Sequence, residues 1–143
     1  MQWLVLVYRI PREPTAGRVY IWRKLKQLGA VALQDAVWVL PANPRTMEQL
    51  QWLSAEIREL KGEATLFNSE MVSADFGLSL RETFETPIRD EYKSILRALK
   101  KRKPNLPVLS KQYLQVRGRD FFHCELGEQV RQRLVKAKGE AES

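Results

Sequence analysis

The sequence is poor in the residues from which covalent and metal sites are usually built. Its 143 residues include one histidine, His123, and one cysteine, Cys124. A lone cysteine cannot close an intrachain disulfide, which accords with a reducing cytosol. The two residues are adjacent, so their side chains do not readily converge on one atom, and no further His or Cys completes a four-ligand zinc set unless a second copy supplies it. Gly-rich phosphate loops, the G-x-S-x-G elbow and metal-ligand spacings are also missing. No apolar run approaches the ~20 residues that span a bilayer. The apolar start from Trp3 to Tyr8 is too short for a signal peptide and has no basic leader. These absences predict a soluble, cytoplasmic, non-enzymatic protein with no cofactor, no metal site and no membrane attachment.

What the chain has is positive charge, +7 overall. The charge is uneven: residues 1–62 carry +4, 63–87 carry −4, 88–119 carry +8 and 120–143 carry −1. Such asymmetry suits a surface that meets a polyanion, although surplus lysine also serves solubility.

Periodicity organises the first half. Gln2 to Tyr8 is β-branched, aromatic or leucine almost throughout, the pattern of an interior strand covered on both faces. Pro11, Pro14 and Gly17 break the chain before a helix that starts near Thr15, a candidate N-cap. Val19, Trp22, Leu25 and Leu28 recur every three residues as its apolar stripe, and Arg18, Arg23, Lys24 and Lys26 are expected to face solvent. Gly29 stops this helix. Val31 to Leu33 and Ala36 to Leu40 read as a hairpin turning at Gln34-Asp35 and ending at Pro41.

Asn43-Pro44 then opens a second helix with Met47, Leu50, Leu53, Ile57 and Leu60 on one face, closed by Gly62. Trp52 falls off that face, either at the rim of the core or toward a partner. Glu63 to Ser69 supplies a fourth strand. The order is βαββαβ, an α+β fold with a ferredoxin-like core over residues 1–72. The remaining chain, 73–143, reads as a helical extension packed on or near that core. The second sheet face needs a cover, which either this extension or a second copy of the chain could provide.

In the extension, Thr86-Pro87 reads as a helix start, with Ile88, Tyr92, Ile95 and Leu99 on one face and Lys100, Lys101, Arg102 and Lys103 at its end. The helix dipole alone accounts for basic residues there. The functional alternative is a platform for phosphate, extended by Arg97, Lys111, Arg117 and Arg119. Val108 to Val116 and Leu126 to Val135 read as two further helices joined through Asp120-Phe121-Phe122, with a frayed tail from Lys136.

The stretch WLVLVYRIPREPTAGRVYIWRKLKQLGAVALQDAVWVLP, with the later GRDFFHCELGEQVRQRLVKA, resembles the amino-terminal domain of the ChrB family of bacterial chromate-resistance regulators. The LQDAVWVLP hairpin after a Trp-Arg-Lys-Leu-Lys helix is also similar to the effector domain of the PaaX repressors and, more distantly, to the CRISPR-associated nucleases of spacer acquisition. The resemblance implies a ferredoxin-like core and a role in transcription regulation, with DNA as partner and a homodimer as the working form. Full-length regulators of this type continue into a carboxy-terminal domain, so any chromate chemistry of that domain is expected to be absent here. The nucleases hold metal with an aspartate after the first strand; this chain has Tyr8-Arg9 there, and a cation in that place repels magnesium.

The expectation is therefore DNA binding through Arg97, Lys100, Lys101, Arg102, Lys103, Lys111, Arg117 and Arg119, with Arg18, Arg23, Lys24 and Lys26 as a secondary basic patch. A weaker expectation is an oxyanion effector such as chromate, held by Arg9 and Arg12 with the free N–H groups of the following helix. The alternatives are a non-catalytic protein-interaction or structural module and, more remotely, a nuclease-like protein.

Overall fold

A strand with an unbroken apolar run from Trp3 to Val7, β1 (Gln2–Arg9), holds the centre of the sheet. In the computed structural model, which describes residues 1–142, it is followed by α1 (Thr15–Leu28), β2 (Val31–Gln34), β3 (Val37–Pro41), α2 (Pro44–Glu59), β4 (Glu63–Glu70), α3 (Ala74–Leu99), α4 (Leu106–Arg117) and α5 (Glu125–Glu142). The four strands are ordered β2-β3-β1-β4 and every neighbouring pair is antiparallel. The architecture is α+β, a ferredoxin-like core with a C-terminal helical segment, as the sequence pattern predicts. The chain divides into two units, Met1–Leu78 and the residues from Ser79 onward.

In the first unit, register decides which side chains share a face. Leu4 opposes Leu40 and Leu6 opposes Trp38, so these four lie on one side, while Trp3, Val5 and Val39 lie on the other. Buried members occur on both sides, Leu4, Leu6 and Leu40 on one and Trp3 and Val39 on the other. Lys26 of α1 lies over the Trp38 ring, which sets α1 against the Leu6–Trp38 side. α2 packs against α1, β1 and β4.

The helix ends follow local chemistry. Gly29 takes a left-handed conformation, φ 85°, and its N–H bonds back to the end of α1. Asn43 caps α2 through a reciprocal box: its side chain accepts from the Thr46 N–H at 2.8 Å, and Thr46 Oγ1 accepts from the Asn43 N–H at 3.0 Å.

Several expectations need correction. Thr15 is not the N-cap of α1; it is the first helical residue, and Pro14 precedes it with no side-chain capping bond. The buried face of α1 is Ile21 and Leu25, not the Val19-Trp22-Leu25-Leu28 row, and Val19 and Trp22 are exposed. A strict repeat of three drifts backward by about 60° at each step, so four such positions cannot share one face, whereas a spacing of four nearly closes a turn. The hairpin turns at Asp35-Ala36, one residue later than expected, and Ala36 has a positive φ of 62°. Trp52 is 67% exposed and covers no core rim.

Gly62 does not terminate α2 by taking a left-handed conformation; Lys61 does that, at φ 69°. Gly62 is required for space instead. A Cβ there would collide with the Arg9 carbonyl oxygen and sit 2.9 Å from Ile57 Cγ2.

In the second unit, Pro87 does not begin a helix but lies inside α3, which starts at Ala74. The buried stripe Leu80, Phe84, Ile88, Tyr92 and Ile95 runs through the proline without a break in phase. Burial of each large apolar side chain is worth about 1.5–3 kcal/mol, so Leu80 and Phe84 together outweigh the ~3 kcal/mol that an interior proline costs. Phe84 also meets Phe121 and Phe122 edge-on, with ring centroids 5.9 and 6.2 Å apart. The tail from Lys136 is not frayed: α5 continues to Glu142.

Tyr92, Tyr113, Val116, Val130 and Leu134 form the core of this unit. Its polar pin is Asp120. The Tyr92 phenol donates to Asp120 Oδ2 at 2.9 Å, and the Cys124 N–H donates to both carboxylate oxygens at 3.0 and 3.1 Å. Burial, reinforced by the Asp120 carboxylate, raises the Tyr92 phenol well above its ordinary value, so it stays protonated as the donor. Gly127 packs beneath that hydroxyl, where a Cβ would lie 2.9 Å from it.

Two substitutions check this account by chemical denaturation. Gly62→Ala should destabilise by about 2 kcal/mol or more, because backbone rather than a mobile side chain stands in the way. Asp120→Ala should cost about 2 kcal/mol by leaving the buried phenol and the Cys124 N–H without their acceptor.

Candidate anion-binding surfaces

The cations of this chain fall into those already neutralised and those left over. Arg119 belongs to the first group. Its Nη1 and Nη2 donate to the two oxygens of Glu91 at 2.8 and 3.0 Å, a fork that engages the guanidinium within the second unit. Arg119 therefore differs from the other residues of the expected DNA-contacting set in having an ion-pair partner. Arg131 is held by Glu128 in the same unit, which lowers that carboxyl below its ordinary range.

The rest of the set forms no ion pair among the described residues, although Arg117 lies close enough to Glu128 to help lower that carboxyl. Arg97 lies in the last turn of α3, and Lys100, Lys101, Arg102 and Lys103 follow directly, all exposed. Lys111 and Arg117 are exposed on α4, whose buried residues are Leu109, Tyr113 and Val116. Among the described residues none of these seven has an ion-pair partner. Lys111 lies two residues from Leu109, about 200° around the helix and therefore opposite the buried side.

The first unit holds the other cationic feature, a cleft of about 940 Å³. Its walls come from the end of β1, the loop to α1, one side of α1, and the β2–β3 turn. On α1, Thr15, Arg18, Val19, Trp22 and Lys26 recur at spacings of three and four and so form one row. The sequence pattern sends Arg18, Arg23 and Lys26 to open solvent and Trp22 to the core. In the structure all four line the cleft, joined by Arg9 and Arg12, and Asp35 is the single acid among the lining residues. Lys24 stands apart, over the Tyr20 ring at 5.7 Å.

Of the expected oxyanion pair, Arg9 is engaged by Glu63 at 2.9 Å, although both side chains are largely exposed and the bond is correspondingly weak. Arg12 has no such partner among the described residues. Further along α1, the Lys26 ammonium lies 5.6 Å from the Trp22 ring and 5.9 Å from the Trp38 ring. Tyr8 accepts a hydrogen bond from Trp38. Burial raises its phenol above the ordinary value and Asp35 adds to the rise, while the Trp38 bond and nearby Arg18 oppose it.

The structure thus brings together Arg12, Arg18, Arg23 and Lys26, which the sequence pattern divides between two separate patches. It also adds Tyr8, Trp22 and Trp38, which that pattern does not place at any site. The signal for Trp22 is present in its i, i+4 relation to Arg18 and Lys26. The contribution of Trp38 depends on sheet register, which the sequence does not display.

His123 is exposed with a positive φ of 53° and Cys124 is partly buried. Among the described residues no group of three or more His, Cys, Asp or Glu side chains is placed to hold a metal ion. Among them also, no helix is long and apolar enough to cross a membrane.

The family described as Protein ChrB, N-terminal matches residues 18–134. Protein ChrB of Cupriavidus metallidurans is 29% identical over 83 residues, covering 58% of this chain and 26% of that protein. The chain therefore matches about a quarter of the length of this curated relative. No solved structure matches the chain. Since the family match begins within α1 and continues into α5, taking in most of both units, the chain belongs to the ChrB N-terminal family.

Proposed function

We propose that this chain acts in a bacterial transcription-regulatory protein of the chromate-resistance type, in the cytoplasm, and that it binds duplex DNA without catalysing a reaction. Contact is made to backbone phosphates by Arg97, Lys100, Lys101, Arg102, Lys103, Lys111 and Arg117. Family membership supports the regulatory role. The observation that carries the DNA reading is the exposed run from Arg97 to Lys103, five cations in seven residues with no ion-pair partner among the described residues. Cations so placed gain by releasing counterions from a polyanion, a gain that neutralised pairs do not offer. Phosphate contacts position a protein on DNA without reading its sequence, so operator choice must come from other groups. A homodimer would double the contacts on a duplex with two half-sites, and light scattering of the free protein and of the complex reads that part of the proposal.

Gel-shift titrations at several salt concentrations test the surface. Replacing Lys100, Lys101, Arg102 and Lys103 together by glutamine should weaken binding and flatten the plot of log affinity against log salt, by roughly 0.9 for each phosphate that is no longer neutralised. Absence of binding at low salt, or an unchanged slope, would overturn the assignment. Arg119→Gln separates the two groups of cations: it should leave the slope unchanged while lowering stability by about 1 kcal/mol through loss of the Glu91 fork.

A further inference from the structure

The cleft beside α1 has features that a small oxyanion does not explain. Its volume of about 940 Å³ lies in the range that encloses a drug-sized molecule, far more room than one tetrahedral anion occupies. It combines two chemistries. Toward the start of α1, Arg12 and Arg18 stand beside a helix N-terminus whose first-turn N–H groups receive no side-chain cap and face no acid in the first turn. The Gly17 N–H turns back to the Pro14 carbonyl at 3.3 Å, which leaves the Thr15 and Ala16 N–H groups at a positive helix end, a phosphate-binding arrangement. One turn further along the same row, Trp22 is 51% exposed, a large apolar face left open to water next to cations. The Lys26 ammonium lies within 6 Å of both that indole and the Trp38 ring, a weak cation–π attraction that favours this placement of Trp22. At the mouth, Gln34 and Asp35 offer an exposed amide and carboxylate from the β2–β3 turn.

We propose that this cleft binds a nucleotide. The phosphate is taken by Arg12, Arg18 and the Thr15 and Ala16 N–H groups of α1, the base stacks on Trp22, and Gln34 and Asp35 meet the polar edge of the base or the sugar hydroxyls. Two sources carry this chemistry, a free mononucleotide and the 5′-phosphorylated end of a single strand, and both are distinct from the duplex contacts assigned to the second unit.

Calorimetric titration of the full chain with AMP, GMP, ribose 5-phosphate, inorganic phosphate and a short 5′-phosphorylated oligothymidylate tests the assignment. Saturable binding of at least one nucleotide or of the oligonucleotide is expected, with ribose 5-phosphate and phosphate at least ~10-fold weaker, since stacking supplies the difference. Trp22→Ala should weaken nucleotide binding by about tenfold while leaving phosphate binding unchanged. Arg18→Gln should weaken both, and Trp52→Ala, a change at an exposed indole outside the cleft, should weaken neither, with circular dichroism confirming that each variant is folded. Tighter binding of the mononucleotides identifies the free ligand as the source, and tighter binding of the oligonucleotide identifies the strand end. Equal affinity for phosphate and nucleotide, unchanged nucleotide binding in folded Trp22→Ala, or no heat from any titrant overturns the proposal. The Lys100 to Lys103 glutamine variant should bind nucleotide like the parent, so failure of duplex binding and failure of this site are read separately.

Discussion

The pairing of β1 with a partner on each side is the constraint on which the first unit depends. Eight consecutive residues of β1, Gln2 to Arg9, register against Glu70 to Glu63 of β4, and five of them also register against β3. A slip of one residue would turn Leu4 and Leu6 out of the core and bring Val5 and Val7 in, so burial enforces the alignment. The same alignment fixes the mouth of the cleft. The Tyr8 N–H donates to the Ala36 carbonyl at 3.0 Å, tying the end of β1 to the β2–β3 turn, and Gly62 lets the α2–β4 corner close against Arg9. The cationic row of α1 thereby stands opposite a turn whose position is set by the sheet.

In the second unit the same role falls to a carboxylate. Asp120 accepts from a buried phenol and from the backbone just before α5, so one side chain links the middle of α3 to the start of the last helix. Glu91, one residue before Tyr92, takes Arg119, one residue before Asp120. Two adjacent acid-to-donor links of opposite polarity therefore hold the same two segments together. Charge that would otherwise add to the basic surface is consumed in making the structure, and the exposed face is defined by what is left.

Much of the architecture was legible in the order of elements. Asn43-Pro44, Gly29 and the apolar run of β1 act through local chemistry that needs no distant partner, and the structure has them where the pattern places them. Failures arose where a tertiary partner decides. Pro87 signals a helix start equally well as an interior defect, and only the buried side chains upstream tell which it is. Arg119 has the look of a surface cation because Glu91 lies 28 residues away in sequence. Arg12, Arg18 and Lys26 were visible singly, but their convergence with Trp38 depends on α1 lying across the sheet.

Lys61 has a consequence of its own. A side chain held at φ 69° costs about 1 kcal/mol that glycine would not incur. The loop after α2 thus keeps an unused reserve of stability, open to a single exchange that leaves both cationic surfaces as they are. A protein with such a margin can absorb a costlier change elsewhere, and position 61 is a natural first choice for offsetting the losses that altered ligand preference so often brings.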